Sequence, residues 1–388
     1  MHEPRFLQIH WLCSYPASLP NRDEYGLAKR ISFGGATRLR ISSQAIKRRI
    51  KVAEDDQQLS AIPNVMMSVR SRHLVREAIL KGLCTELGKP AEWEDALAPI
   101  LERALYGEKG DVEESRQSIL LGEPEVRFLR EKARTILTAS EGPKDVVHQA
   151  NGFVSGFRSA MKAMREATEV PFGLQAALFG RFATSDPAAN IDGAVHVAHA
   201  LSVHPIESEI DFVTSVDDLD KDTRQAAGIF NAELTSGLYY GYMVVDVPAL
   251  VSNLTGRPRG QWLNKDVDRT LAGEVCSRLI YLVATVSLAA KRVATAPYAF
   301  ADTVMVELGR RQPRSLANAF FDPVSLEGNV AARARQRLFD EAEAIDENFG
   351  SHEQRQVMSR GVVPPAFPKR SLDQLRNFAR EAITAGRY

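Results

Sequence analysis

The apolar positions of this chain change period several times, and each change marks an element. Residues 6–14 (F-L-Q-I-H-W-L-C-S) are rich in aromatic and β-branched side chains and lie between Pro4 and Pro16, which predicts a first, central strand. A loop over residues 16–26 carries Asn21-Arg22-Asp23-Glu24, and Phe33-Gly34-Gly35 closes a second irregular segment. Residues 37–41 then alternate, so a strand here sets Leu39 and Ile41 toward the core and Arg38 and Arg40 on the opposite face. Ser42 and Ser43 follow as N-cap residues, and Ile46 and Ile50 repeat at i, i+4. The strand therefore passes directly into a short amphipathic helix with Lys47 and Lys51 on one stripe.

Between residues 62 and 168 the spacing turns helical. Leu74, Ala78 and Leu83, then Leu97, Ile100, Leu101 and Leu105, then Phe128, Leu129 and Ile136 recur between Gly and Pro breaks, which predicts a helical insertion. Within it, residues 111–125 are acidic and poorly periodic, the pattern of a surface segment, and Arg158, Lys162 and Arg165 mark a charged edge of the last helix. Residues 174–184 return to period two, with Gly180 permitting a bulge and Arg181 and Phe182 on opposite faces of the strand's end. Another strand is expected over residues 195–203. An acidic stretch, residues 204–228, is punctuated by Ile206, Ile210, Phe212 and Val213, the pattern of a protruding hairpin that shows Phe212 and Val213 to a partner. A long strand (234–247), a helix (265–290), a strand (302–308) and two helices (329–348 and 371–385) complete a split β-α-β core without internal repeats.

Composition narrows the chemistry. With 388 residues, 44% of them hydrophobic and 25% charged, the chain can bury one large core or two to three sub-domains. Lys+Arg and Asp+Glu both number 49, so any nucleic-acid binding must rest on segregated charge. Residues 38–51 supply it: Arg38, Arg40, Lys47, Arg48, Arg49 and Lys51 stand there with no acidic residue. Helix N-terminal amides beside Ser42, Gln44 and these cations suit a phosphate-bearing ligand, a nucleic-acid backbone being favoured over a merely solvated basic face. Cys13, Cys84 and Cys276 are far apart and outside any CxxC spacing, which argues for core thiols in a reducing cytosol. The first residues lack a signal-peptide pattern and the apolar run 279–290 is too short to span a bilayer, so a soluble cytoplasmic protein without membrane partners is expected. Asp23 with Glu24 leaves open a metal-dependent hydrolytic site. His196 and His199 fall on opposite faces of their strand, Gly34-Gly35 fits no nucleotide fingerprint, and no cofactor or metal is expected.

The chain resembles the CasC family, the crRNA-binding backbone subunit of the type I-E CRISPR Cascade complex. The resemblance runs nearly end to end. It is carried by Asn21-Arg22-Asp23, by Phe33-Gly34-Gly35 leading into residues 38–51, by Gly180-Arg181-Phe182-Ala183-Thr184-Ser185, by Asp192-Gly193-Ala194 through Ala198-His199-Ala200, and by Ile210-Asp211-Phe212 through Val216-Asp217-Asp218. Ser236-Gly237, Tyr239-Tyr240, Lys291-Arg292, Met305-Val306 and Leu316-Ala317-Asn318-Ala319-Phe320 continue it. The resemblance implies an α+β fold with an RRM-like (ferredoxin-like) palm, an inserted helical fingers domain and a protruding thumb hairpin. Its segments would be palm (1–58), fingers (59–173), palm (174–203), thumb (204–228) and palm (229–388). It further implies a non-catalytic subunit that polymerises head to tail along a crRNA and presents the guide to target DNA. Its partners would be further copies of itself and the Cas5-type, Cas6-type, large and small Cascade subunits. Base pairing would read the sequence while the protein holds the backbone. RNA contacts carried over are Arg22, Ser42, Gln44, Lys47, Arg48 and Lys51, then Arg38 and Arg40, with Arg181 and Phe182, the ring standing where the family usually has a base-wedging methionine. The family's thumb carries an aromatic pair where this chain has Phe212-Val213. The alternative is an RRM-like endoribonuclease using Asp23.

Overall fold

The computed structural model describes residues 2–108, 110–183, 186–216, 226–288 and 292–388. The chain opens with β1 (Phe6–Ser18), β2 (Arg30–Phe33), β3 (Ala36–Ile41) and α1 (Ser43–Lys51). Then come β4 (Ser68–Ser71), α2 (Leu83–Leu87), α3 (Glu92–Tyr106), β5 (Ile119–Gly122), α4 (Glu123–Ala139), α5 (Pro143–Ser155), α6 (Phe157–Glu166) and α7 (Leu174–Phe179). The strands β6 (Val195–Val197), β7 (Ala200–Ser202), β8 (Ser208–Val216) and β9 (Ala226–Asp246) precede α8 (Val247–Thr255), α9 (Thr270–Thr285) and α10 (Arg292–Thr295). The last elements are β10 (Thr303–Gly309), α11 (Val330–Phe349), β11 (Gln354–Ser359) and α12 (Leu372–Ala385). They form two compact units. One comprises Met1–Leu59, Val195–Val247 and Arg269–Tyr388, and the other Ser60–Ala194 and Pro248–Asp268.

The first unit is built on an antiparallel sheet in the order β11-β10-β1-β9-β7-β3-β2. Residues of both parities along β1 are buried, Ile9 and Trp11 as fully as Leu12 and His10, because β1 is central and its sheet is covered on both faces. Trp11 faces Gly241 across the β1–β9 ladder, where a Cβ would lie 2.1 Å from the indole, so only glycine admits the ring. The strand runs on through Pro16, beyond the expected end, because the register shifts between Tyr15 and Ser18 and frees the proline from the ladder. The 21-residue β9 pairs with β1 along its C-terminal half, while β8 pairs with residues 226–235. Beyond Thr235 toward its N-terminus, β9 has left β1, so β8 and β9 leave the sheet as a two-stranded ribbon.

Four local expectations need correction. Residues 174–179 are helical because Gly173 and Gly180, both at positive φ, bracket a segment whose Leu174, Ala177 and Leu178 share a buried i, i+3, i+4 face. The strand expected over 195–203 breaks at Ala198 and His199, where the imidazole is drawn to α1. Gly34-Gly35 forms the two-residue turn of a β2–β3 hairpin, φ +60° and +73°, rather than an irregular segment. The acidic segment 111–125 contains β5 and ends at Glu125, which is fully buried and ion-paired rather than exposed.

Under the first unit's sheet lies a polar network. Glu307 is fully buried, and its carboxylate accepts from His10 Nε2 (3.2 Å), Arg314 Nη1 (2.5 Å) and Arg355 Nε (2.5 Å). Arg355 continues to Asp346 at 2.9 Å. Burial is the largest influence on Glu307, but the two guanidinia and His10 outweigh it and hold the carboxyl well below the carboxylate range. His10 Nδ1 lies 2.9 Å from the Tyr240 hydroxyl, and burial pushes its pKa below 6.5. His204 is also held neutral chiefly by burial: Nδ1 donates to Pro205 O (2.7 Å) while Nε2 accepts from Leu238 N (3.1 Å), so a second proton has nowhere to point. For these two histidines the unfolded chain binds more protons below pH 6.5, so their contribution is complete above 6.5 and is lost as pH falls through that value. The urea midpoint is therefore expected to fall between pH 7.5 and pH 5.5, and a flat profile would contradict the depressed pKa of these two histidines.

In the second unit, α2 to α6 enclose a separate core that includes Leu83, Trp93, Leu97, Leu101, Leu129, Leu137 and Met161. Glu125 ties it together from inside. Its carboxylate accepts from Arg165 Nε (2.8 Å) and Arg181 Nη1 (2.5 Å), and both guanidinia lie over the Phe172 ring.

Candidate nucleic-acid interface

β3 and α1 place the basic stretch on the first unit. Leu39 and Ile41 are buried as the alternation requires, and Ile46 and Ile50 anchor α1. The opposite face of α1 carries Gln44, Lys47, Arg48 and Lys51 at i, i+3, i+4 and i+7, one continuous stripe. With no acidic residue in its first turn and Arg48, Arg49 and Lys51 in its last, α1 keeps its cations where the helix dipole favours them. Burial lowers the Lys47 pKa, and an anion beside it would favour the charged form.

The amides at the start of α1 are largely taken by the protein itself. Ser42 caps the helix: its hydroxyl accepts from Ala45 N at 3.3 Å, and its own N–H donates to Asn21 Oδ1 at 2.8 Å. His199 Nδ1 accepts from Ser43 N (3.1 Å) and lies 3.2 Å from Arg40 Nη1. That nitrogen is therefore unprotonated, and burial, then Arg40 and Lys29, lower the His199 pKa. His199 ties the helix start to Arg40, a role that alternation alone could not show.

Arg22 and Arg48 line one cleft of about 610 Å³, together with Asn21, Asp23, Glu24 and Arg49. Both are exposed, and neither makes an ion pair among the described residues. Elsewhere arginines are commonly paired, as Arg30 is with Glu233, Arg335 with Asp302 and Arg278 with Glu274. Asp23 turns its carboxylate inward to its own loop: Oδ1 accepts from Tyr25 N (3.0 Å) and Leu27 N (2.9 Å). Among the described residues no group of three or more His, Cys, Asp or Glu is gathered for a metal, and His196 and His199 form no such set.

Three expected contacts are buried: Ser42, whose hydroxyl is used to cap α1, Arg38 and Arg181. Arg38 is fully enclosed: Nε donates to Phe33 O (3.3 Å), Nη1 to Ser202 O (3.1 Å), and Nη2 to Phe320 O (2.9 Å) and Phe321 O (3.3 Å). Period two put it on the face opposite Leu39, and that face is covered by the segment that includes Phe320. Arg181, in the second unit, is spent on Glu125. Its neighbour Phe182 is 75% exposed between buried Arg181 and Ala183, on a loop closed by Arg181–Ile191 backbone bonds of 2.9 and 3.1 Å. On the β8–β9 ribbon Phe212 is 69% exposed; the Val213 side chain lies outside the described residues.

The sheet and helices thus define a mixed α/β protein with an antiparallel sheet, a fold shared with two solved chains. One, titled "CRISPR RNA-guided surveillance complex, pre-nicking", is 24% identical with a TM-score of 0.73, over 97% of this chain and 100% of that one. The other, titled "CRISPR RNA-guided surveillance complex", is 22% identical with a TM-score of 0.66, over 97% and 99%. Residues 7–379 match the family described as CT1975-like protein, and the chain belongs to that family. No curated protein matches it.

Arg38→Ala would strand the carbonyls of Ser202, Phe320 and Phe321 inside the fold. It is expected to cost about 3 kcal/mol or more in urea unfolding, at about 1–3 kcal/mol for each unsatisfied group. Unchanged stability with lost RNA affinity would return Arg38 to the surface role.

Proposed function

We propose that this chain is a non-catalytic crRNA-binding subunit of a type I-E Cascade surveillance complex, polymerising head to tail along the guide and presenting it for pairing with target DNA. The observation that carries the proposal is the pair of unpaired arginines, Arg22 and Arg48, facing one cleft beside an acid-free stripe of Gln44, Lys47, Arg48 and Lys51. In a chain with equal numbers of acidic and basic residues, two exposed arginines without an ion pair on one surface suit an external polyanion. The fold shared with chains titled as RNA-guided surveillance complexes and membership of the CT1975-like family support the same reading. On this view the antiparallel sheet is an RRM-like palm, residues 59–173 are fingers, and the ribbon within residues 204–228 is a thumb. Phe182 and Phe212 supply exposed rings to stack on or displace bases. Further copies of the chain and the other Cascade subunits are its protein partners, and it acts in the cytoplasm, where its three buried thiols stay reduced.

The endoribonuclease alternative gains no support from Asp23, whose Oδ1 is occupied by two loop amides. Arg22, Arg40, Lys47, Arg48, Arg49 and Lys51 together would give single-stranded RNA a log–log salt slope of about −4. Lys47→Ala with Arg48→Ala is expected to weaken RNA binding and make that slope shallower by about 1.4. Unchanged RNA affinity with broken self-association would favour a protein scaffold instead. Incubation with labelled RNA and Mg²⁺ or Mn²⁺ is expected to leave the RNA intact, and cleavage that disappears in Asp23→Ala would establish the nuclease.

A further inference from the structure

The segment from Val286 to Asp302 joins α9 to β10 and contains Lys291, Arg292, Tyr298 and Phe300, with Asp302 as its one acidic residue. Two cations followed by two aromatics, with a single acid, are a composition that suits a surface meeting single-stranded nucleic acid. Its described part presents both rings to solvent: Tyr298 is 72% exposed and Phe300 70%. Such rings cost burial free energy if they stay wet, and the backbone spends effort holding them there. Ser287 Oγ donates to Pro297 O (2.6 Å), Ala301 N to Ala284 O (2.7 Å), and Ala296 takes a positive φ of 40°.

The rings line a groove of about 800 Å³ whose walls include Pro16, Met358 and Arg360 and no Asp, Glu or Lys. Phe300 and Arg360, with Ser14 and Pro16, also border an adjoining groove of about 400 Å³, whose walls carry Glu207 and Asp302. Arg360 is exposed, and its guanidinium has no partner among the described residues. The same segment reaches the cationic cleft, since Leu288 is part of the wall that holds Arg22 and Arg48. The aromatic groove and the cleft share no wall residue, so they are separate subsites linked only through this segment of chain.

We propose that Tyr298, Phe300 and Arg360 form a stacking site for unpaired nucleobases of a single strand, with Arg360 placed for the adjacent phosphate. The proposal rests on the RNA-binding function argued above and adds a second, chemically different subsite to it. Every nucleobase offers a π-face, so the site takes any sequence, and RNA and DNA strands share the chemistry.

The two kinds of subsite separate by salt. Stacking releases few counterions, whereas phosphate contacts release many. Full-length protein is titrated with a single-stranded RNA carrying 2-aminopurine and with the same DNA sequence, at several salt concentrations. Tyr298→Ala with Phe300→Ala should weaken binding about tenfold or more and lessen the change in 2-aminopurine fluorescence on binding, with the salt slope unaltered. Tyr298→Trp with Phe300→Trp should restore both. Loss confined to RNA would assign the site to a guide, and loss with both strands to either source. Both ring substitutions lie on exposed side chains, so the variant is expected to keep the wild-type unfolding midpoint. Normal salt-dependent binding with unchanged affinity and fluorescence in the alanine variant would overturn the stacking site and spare the cationic cleft. Salt-insensitive binding that still depended on the rings would spare the site and remove the cleft. Unchanged binding with lost self-association would make the groove a protein contact.

Discussion

The guanidinium of Arg38 is the constraint on which the interface depends. A cation without an acidic partner is expensive to bury, and four backbone carbonyls from three separate stretches of chain offset that cost. It joins the β2–β3 hairpin to β7 and to the turn at Phe320 and Phe321. Gly34 completes the joint, because a Cβ at that position would sit 1.4 Å from the Phe321 carbonyl oxygen. Since α1 follows β3 with only Ser42 between, fixing β3 fixes where the cations of α1 stand. One arginine of the basic run is thus consumed inside the protein to aim the others.

That division of labour explains which parts of the site were legible in the sequence. Leu39, Ile41, Ile46 and Ile50 announced a strand and a helix because the periodicity that buries them is local. The carbonyls around Arg38 and the guanidinia around Glu125 lie 5 to 283 positions away, and no spacing rule reports such distances. Arginine counts therefore overstated the exposed charge: Arg314 and Arg355 serve Glu307, and Arg165 and Arg181 serve Glu125. The elements misjudged were of the same kind. Helix α7 is buried nearly all round, so its apolar pattern fits a strand as well as a helix, and the two bracketing glycines decided between them. The β2 edge strand has three exposed residues of four and gave no apolar alternation to detect.

The neutral composition also acquires a physical meaning. Acidic residues concentrate in the sequence of residues 204–228, where Glu207, Glu209, Asp211, Asp217, Asp218, Asp220 and Asp222 outnumber Lys221 and Arg224, while α1 has none. Such segregation allows overall neutrality and strong local fields together.

The length of β9 has a mechanical consequence. One uninterrupted strand belongs to the ribbon at residues 226–235 and to the heart of the sheet at residues 235–246, so the ribbon is not hinged on a loop along that side. A load applied at Phe212 would travel along paired backbone into the β1 ladder as a torque. Displacing the tip by bending must then work against the twist of a whole sheet, which makes the ribbon a lever rather than a flap.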